Sequence, residues 1–204
     1  MERNLLLRAA RAASSGAHVG GCGASAEERG RASGAAGAAA SGLTHVDGDG
    51  RAAMVDVGGK APTERTASAS GRVALAPEAF ALVAANQIKK GDVLTVAQLA
   101  GIMGAKQTAA LIPLCHPLPL TSAAVELALD AGSHSVVISA QAKTVGPTGV
   151  EMEALTAVAV SALTVYDMCK AVSRDITIGD IRLDQKSGGR SGDYQRGRDY
   201  ATGS

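Results

Sequence analysis

An acid and an amine stand three residues apart near the end of a long apolar stretch, EMEALTAVAVSALTVYDMCKAV. These are Asp167 and Lys170, and on a helix they would share one face. A carboxylate and an ammonium group at this spacing can pair, keep each other charged, or exchange protons with a substrate. A plain ion pair at the end of a helix has the same spacing, so this pair alone does not identify a site.

The second group with chemical potential is His116, in the string LIPLCHPL. Pro113 and Pro117 limit the backbone on both sides of it, and a stiff loop holds an imidazole well. Histidine gains and loses a proton near neutral pH, which suits acid or base work. The alternative is a histidine that simply hydrogen-bonds to backbone. A metal site made of Cys115, His116 and Cys169 is also conceivable, but its spacing fits no standard zinc pattern.

Two acids, Glu151 and Glu153, open the same apolar stretch. They can be explained as first-turn acids favoured by the helix dipole. Glu153 precedes Asp167 by fourteen residues, which is about 21 Å along a helix. One chain's helix therefore cannot bring both onto one reacting atom. If both serve one site, that site lies between subunits or spans a long substrate.

Three basic clusters point to a phosphorylated ligand: Lys60 with Arg65, Lys89 with Lys90, and Lys186 before two glycines. Lysine beside glycine lets a positive charge and a backbone N–H approach a phosphate together. Each cluster alone is equally typical of a solvated turn. The pattern GxxxxGK[ST] is absent, which excludes a Walker-type nucleotide site.

Composition narrows the classes of function. With 46% hydrophobic and 19% charged residues the chain is typical of a soluble globular protein, and its net charge of +1 gives no general attraction for a polyanion. Aromatic residues are only 2% of the chain, which argues against an RNA-binding sheet. The three widely spaced cysteines argue against a disulfide framework. The apolar run 154–166 is interrupted by Thr and Ser, and we interpret it as a buried helix covered by a sheet and by another subunit, not as a membrane span.

Residues 1–42 form a low-complexity leader rich in Ala, Gly and Ser, which we expect to be disordered. The leader has the basic, acid-poor composition of an organelle transit peptide, and a linker from a larger fusion explains it equally well. Localisation follows from this choice: the mitochondrial matrix for a transit peptide, the cytoplasm otherwise. The folded domain is expected over 43–194, followed by a disordered tail over 195–204.

Hydrophobic periodicity predicts an α+β fold within that domain. We expect a strand near 68–75, a helix over 77–86, a turn over 89–92, and a second helix capped by Thr95 that stops before Pro113. A hairpin follows around the turn DAGS, then a long helix over about 150–172 and a last strand, ITIGDIRLDQK. This order is that of a ferredoxin-like sandwich, in which helices pack on an antiparallel sheet.

Several strings, in this order, resemble one enzyme family: LTHVDGDGRAAMVDVGGK, KKGDVL, AGIMGAK, LIPLCHPL, TGVEMEALTAV, LTVYDMCKAV and KSGGRSGDY. They are similar to the cyclic pyranopterin monophosphate synthase (MoaC) family of molybdenum cofactor synthesis. The resemblance extends from Leu43 to Tyr194. TGVEMEAL together with LTVYDMCKAV is its most specific part.

The resemblance implies a lyase that converts 3′,8-cyclo-7,8-dihydroguanosine 5′-triphosphate into cyclic pyranopterin monophosphate and pyrophosphate, without net electron transfer. No cofactor is required, and a divalent metal can enter through the triphosphate. The implied assembly is a homo-hexamer, a trimer of dimers with sites at subunit interfaces. A functional link to the radical enzyme of the preceding step is also implied, and neither nucleic acid nor membrane is an expected partner.

Carried over to this chain, the family's catalytic residues are Asp167, Lys170, Lys90 and His116. The substrate-binding residues are Leu114, Cys115, His116, Met152, Glu153, Lys186, Lys60 and Arg65, and no metal ligand is implied. The competing hypothesis is a non-catalytic ferredoxin-like module that binds a nucleotide without converting it.

Overall fold

The computed structural model describes residues 52–197; residues 1–51, which include the whole leader and the expected first residues of the domain, and residues 198–204 lie outside this range. The regular elements, in chain order, are β1 (Thr63–Ala74), α1 (Pro77–Ala84), α2 (Val93–Lys106), α3 (Thr108–Leu111), β2 (Leu120–Asp130), β3 (Ser135–Gly146), α4 (Glu151–Cys169), β4 (Thr177–Ser187) and β5 (Tyr194–Gln195).

One five-stranded sheet organises the domain, with the strand order β2-β3-β1-β4-β5. Every neighbouring pair is antiparallel. The helices α2 and α4 pack against each other and against the sheet. This order of the first four strands, with helical crossovers after β1 and β3, is the ferredoxin-like sandwich that the periodicity predicts.

Small side chains let the layers approach closely. Alternate residues of β1, such as Ala67, Ala69 and Val73, are buried beneath the helices. Between the helices, a side chain at Gly101 would collide with Ser161 and with the main chain of α4. Small side chains cannot fill a wide gap between layers. The core, which has a single phenylalanine, is therefore close-packed only because the backbones of its helices and strands lie near one another.

Three details of the expected elements are corrected by the structure. Thr95 does not cap α2; Asp92 is the N-cap, and its carboxylate accepts hydrogen bonds from the Thr95 amide at 3.0 Å and hydroxyl at 2.7 Å. The second helix does not continue to Pro113, because it ends at Lys106 and a separate turn of helix begins at Thr108. The first strand begins at Thr63, five residues before the expected start.

A last short strand, at the junction between the expected domain and the expected tail, is not predicted by the periodicity. Tyr194 and Gln195 form β5, which pairs with Lys186 and Gln185 at the edge of the sheet. Two residues are too short to display an alternating pattern. The expected start of the disordered tail at 195 therefore falls inside a short strand.

The helix α4 is buried, as its sequence predicts. By length and mean hydropathy alone its 19 residues would suffice to cross a membrane, so the interruption by Thr and Ser does not by itself decide the matter. Burial does decide it, since ten of its side chains, from Glu153 to Cys169, are buried within the domain. The helix is thus the central element of the core, and it carries a polar group at each end.

Candidate functional site

A cavity of about 370 Å³ lies at the N-terminal end of α4. Three separate parts of the chain form its wall: the segment 55–60, the loop after α3, and the residues that open α4. A volume of this order suits a small-molecule ligand. The lining residues are Val55, Val57, Lys60, Leu114, Cys115, His116, Leu118, Thr148, Gly149, Glu151, Met152 and Glu153.

Six of the substrate-binding residues that the sequence suggests line this cavity together. They come from positions up to about ninety residues apart, and only the fold brings them to one place. The six are Lys60, Leu114, Cys115, His116, Met152 and Glu153.

His116 is half-buried and contacts the main chain. Its Nε2 atom lies 2.8 Å from the carbonyl oxygen of Val55. The structure therefore confirms the alternative raised by the sequence, a histidine that is hydrogen-bonded to backbone. Since the ring also lines the cavity, the hydrogen bond orients the imidazole there and does not remove it from the surface.

Glu153 is the most deeply buried acid of the cavity wall, with 4% of its surface exposed. Burial raises the pKa of its carboxyl above the usual value, and the nearby charge of Glu151 adds to this effect. The thiol of Cys115 also has a raised pKa, because of burial and the charge of Glu153. A carboxyl group with a raised pKa can hold a proton at higher pH than an exposed one.

The basic residues around the cavity differ in their contacts. Lys186 lies 3.8 Å from Glu151 and donates a hydrogen bond to the Ser191 hydroxyl at 2.5 Å. Arg65 is 9% exposed and does not line the cavity; its side chain packs beneath Gly188 and Gly189, and its Nε atom is buried without a hydrogen-bond partner. Arg65 thus packs against the glycine loop that follows Lys186, while Lys60 is the only one of these three basic residues that lines the cavity.

A second polar cluster lies at the C-terminal end of α4. Asp167 accepts from Lys170 at 2.6 Å and from Lys90 at 2.8 Å, and Lys90 also donates to the Asp167 carbonyl at 2.8 Å. The pairing of Asp167 with Lys170 is as the sequence predicts. The hydrogen bonds from Lys170 and Lys90 lower the pKa of Asp167 to about 2.

The chemistry of this cluster follows from its charges. Asp167 stays ionised at neutral pH, so it is a poor proton acceptor and a good anchor for two ammonium groups. Two cations against one anion leave a net positive charge, which suits a phosphate. All three side chains are about half exposed in the single chain, so a ligand or another copy can reach them.

Within one chain, the cavity and the Lys90, Asp167 and Lys170 cluster are at opposite ends of α4. The same separation divides Cys115, which lines the cavity, from Cys169, which is buried near Lys90. A metal site that joins these two cysteines is therefore wrong. In the part of the chain described, no three His, Cys, Asp or Glu side chains are grouped to hold a metal ion.

The cavity also contains residues that sequence reasoning did not select. Val55 and Val57 alternate with exposed neighbours, and Thr148 with Gly149 directly precedes α4. The sequence could have pointed to these four residues, because both pairs fall within the strings that carry the family resemblance. Outside the cavity, Ser191 is a further residue that was not selected; it accepts a hydrogen bond from Lys186, and its only signal in the sequence was a hydroxyl in the glycine-rich loop.

Comparison with known proteins identifies the family. A model described as the MoaC family matches residues 54–189, about two thirds of the chain. A protein of Roseiflexus sp. (strain RS-1) named cyclic pyranopterin monophosphate synthase is 59% identical over 152 residues, which cover 74% of this chain and 96% of that protein. A protein of the same name from Dinoroseobacter shibae is 59% identical over 155 residues, or 76% of this chain and 98% of its own length.

Longer relatives match the same part of the chain. Molybdenum cofactor biosynthesis protein 1 of Mus musculus is 60% identical over 154 residues, covering 76% of this chain, but the match spans only 24% of that protein. The chain therefore corresponds to about a quarter of the length of these relatives. The family model and the bacterial relatives together show that the chain belongs to the MoaC family.

Proposed function

We propose that this chain is a cyclic pyranopterin monophosphate synthase. It converts 3′,8-cyclo-7,8-dihydroguanosine 5′-triphosphate into cyclic pyranopterin monophosphate and pyrophosphate, a lyase reaction of molybdenum cofactor synthesis. The observation that carries the proposal is the cavity at the start of α4, which unites six of the residues suggested from the sequence. The bacterial relatives that match this domain over nearly their whole length bear the name of this activity.

The cavity and the lysine cluster supply complementary chemistry. His116 and Glu153 are groups that can hold and move protons, and each well-placed proton transfer is worth roughly 10² to 10⁴ in rate. The ammonium groups of Lys90 and Lys170 stabilise phosphate charge, as preorganised cations do in other phosphate reactions. In this proposal Asp167 holds the two lysines in place, while Lys170 exchanges protons with the substrate.

We further propose that the working site forms between copies of the chain in a homo-hexamer. In an antiparallel pair of α4 helices related by a two-fold axis near Val160, Asp167 of one copy would lie beside Glu153 of the other, since both are seven residues from Val160. Such isologous contacts are the usual way that identical chains pair. The two polar groups of α4 would then meet across the boundary.

An exposed apolar surface supports this arrangement. Leu163 on α4 is 61% exposed, and on α2 Leu99 and Met103 are 57% and 65% exposed. Gly104 packs against Val160, so this part of α2 lies beside the middle of α4. Exposed apolar side chains between two polar ends are what an interface between copies requires.

The remaining elements of the proposal concern context. No cofactor is needed, and a divalent metal would bind through the triphosphate. The small-molecule substrate comes from the radical enzyme of the preceding step, to which the chain is functionally linked. The protein acts in the mitochondrial matrix if the leader, which lies outside the described residues, is a transit peptide, and otherwise in the cytoplasm.

The test is to incubate the purified chain with the cyclised precursor and measure pyrophosphate and pterin product. Wild-type protein should release both, while Asp167→Asn and Lys170→Ala should keep the oligomer and lose most turnover. Binding of the precursor without release of pyrophosphate would favour the non-catalytic nucleotide-binding module. Near-normal turnover by either variant would refute the roles given to these residues.

A further inference from the structure

The contact between His116 and Val55 determines which nitrogen of the imidazole can react. A carbonyl oxygen only accepts hydrogen bonds, so Nε2 must carry the proton in the 2.8 Å contact. This holds for the neutral ring and for the charged ring alike. Proton exchange at His116 is therefore restricted to Nδ1, which has no hydrogen-bond partner among the residues described.

The segment that supplies the carbonyl is itself ordered by local contacts. The Lys60 amide donates to the Val57 carbonyl at 3.0 Å, and the Gly58 amide donates to the Asp56 carboxylate at 2.8 Å. These turn contacts follow Val55 directly and limit where its carbonyl can lie. Val55 and Val57 are half-buried and line the cavity, while Met54 and Asp56 are exposed.

The loop that carries His116 is fixed from the other side. Pro113 and Pro117 restrict its backbone, the Cys115 amide donates to the Ile112 carbonyl at 3.1 Å, and the Pro119 carbonyl accepts from Thr144 at 2.7 Å. Ring and carbonyl are thus held by two independently constrained segments. A hydrogen bond between rigid parts loses little entropy when it forms, so it can determine a tautomer.

We propose that residues 54–57 act as a positioning element for His116: the Val55 carbonyl holds the ring as the Nε2–H tautomer, and Nδ1 is the atom that takes and returns the proton during the reaction. The inference rests on the proposed function for its catalytic half. Its structural half, the tautomer and its dependence on the segment, needs no substrate. The other ionisable groups that line the same cavity are Lys60, Cys115, Glu151 and Glu153.

Nitrogen-15 NMR of the full chain labelled at histidine tests the structural half. At a pH where the ring is neutral, the His116 signals, assigned by their loss in His116→Gln, should report Nε2–H in about tenfold excess over Nδ1–H, which corresponds to one ordinary hydrogen bond. Replacing the amide between Val55 and Asp56 by an ester weakens the carbonyl as an acceptor and should reduce that excess severalfold. His134, on the turn before β3, serves as the internal reference that should not change.

Two substitutions of His116 test the proposed role of Nδ1 in catalysis. Each variant keeps a polar group near only one of the two ring nitrogens. His116→Gln retains a donor near the position of Nε2, so hydrogen exchange of residues 54–60 should match that of wild type while kcat falls by about 10² or more. His116→Asn keeps a polar group near Nδ1 but cannot reach Val55, so exchange in the segment should accelerate.

The outcomes separate the two claims. An Nδ1–H tautomer, or one unaffected by the ester, overturns the positioning proposal whatever the activity. Normal kcat in His116→Gln overturns the role of Nδ1. If the wild-type chain shows the tautomer and its ester response but releases no pyrophosphate, the positioning element stands and the proposed function fails.

Discussion

Glu153 and Asp167 lie fourteen residues apart on α4, one buried in the wall of a cavity and the other tied to two lysines at the far end of the helix. At the rise of an α-helix, this separation is about 21 Å. No rearrangement of side chains closes such a distance within one chain. A single site that uses both groups must therefore span a long substrate within one chain or, as we propose, join two copies of the chain.

The first prediction concerns Lys90, which donates to both the carboxylate and the carbonyl of Asp167. Lys90→Met should lower kcat/KM by about 10² or more, because a phosphate-facing charge is lost. It should also raise the pKa of Asp167 from about 2, which carbon-13 NMR of the carboxyl can measure.

The adjacent Lys89 is the matched control, since it takes part in none of the ion pairs between described residues. Lys89→Met should keep kcat/KM within about twofold of wild type, as most exposed substitutions do. Equal losses in the two variants would mean that Lys90 contributes only general surface charge.

A second prediction uses the raised pKa of Glu153. A carboxyl whose pKa is higher in the fold than in the unfolded chain stabilises the fold fully only below its unfolded pKa, and this contribution is lost as pH rises through the folded value. As pH rises above the ordinary glutamate pKa of 4.5, the Tm of Glu153→Gln should therefore rise relative to that of wild type. If the Tm of Glu153→Gln minus that of wild type stays constant or falls as pH rises, the prediction is wrong. Favourable contacts must then stabilise the buried carboxylate in the folded protein.

The glycine loop over Arg65 gives a third prediction. Gly188 has φ +88, and a Cβ there would collide with the main-chain carbonyl of Glu64, while Gly192 has φ +68 and open space around it. Both alanine variants incur the left-handed strain of roughly 1–2 kcal/mol. Gly188→Ala should cost about 1–3 kcal/mol more than Gly192→Ala, because a backbone atom cannot move aside.

Urea unfolding of the two variants at one protein concentration measures this difference, since dissociation of an oligomer also contributes to apparent stability. Equal free energies of unfolding would mean that the loop can shift away from β1. In that case Lys186 and Arg65 would not be held by the loop in the way their contacts suggest.

The fourth prediction concerns the exposed apolar surface of α2 and α4. Leu163→Glu places a charge within the proposed contact, so the proposed hexamer should dissociate into smaller particles, which sedimentation measures. Leu129→Glu is the control, because Leu129 is also an exposed leucine but lies near the end of β2 and not on α2 or α4. An intact hexamer in Leu163→Glu would exclude the helical surface as the contact.

Much of the fold could be predicted from the sequence because periodicity reports burial directly. The hairpin around DAGS and the buried helix over 154–166 follow from alternation and from an apolar composition. The predictions that were wrong, the cap of α2 and the end of this helix, depend on small local differences between neighbouring residues. Asp92 and Thr95 are both good cap residues, and only the backbone geometry decides that Asp92 accepts while Thr95 donates. The break at Gln107 leaves no signature, since none of its neighbours is a glycine or proline.

The candidate site was predictable as a set of residues but not as a geometry. The strings of the family select Leu114 to His116 and Met152 with Glu153, and the fold brings them to one cavity. Periodicity could not place Val55 against His116, because that contact joins residues 61 positions apart. Nor could it assign Asp167 as an anchor, which follows from two donors that come from different elements.

The most direct test of the shared site is complementation between two inactive variants. Asp167→Asn and Glu153→Gln chains are each expected to be inactive alone, and are then dissociated, mixed equally and reassembled. In the proposed arrangement, each site takes Asp167 from one copy and Glu153 from another. Random reassembly makes half of the pairs mixed, and in each mixed pair one site carries both substitutions while the other carries none. The mixture should therefore have about a quarter of wild-type activity. Activity no higher than that of either variant alone would contradict a site built across the subunit boundary.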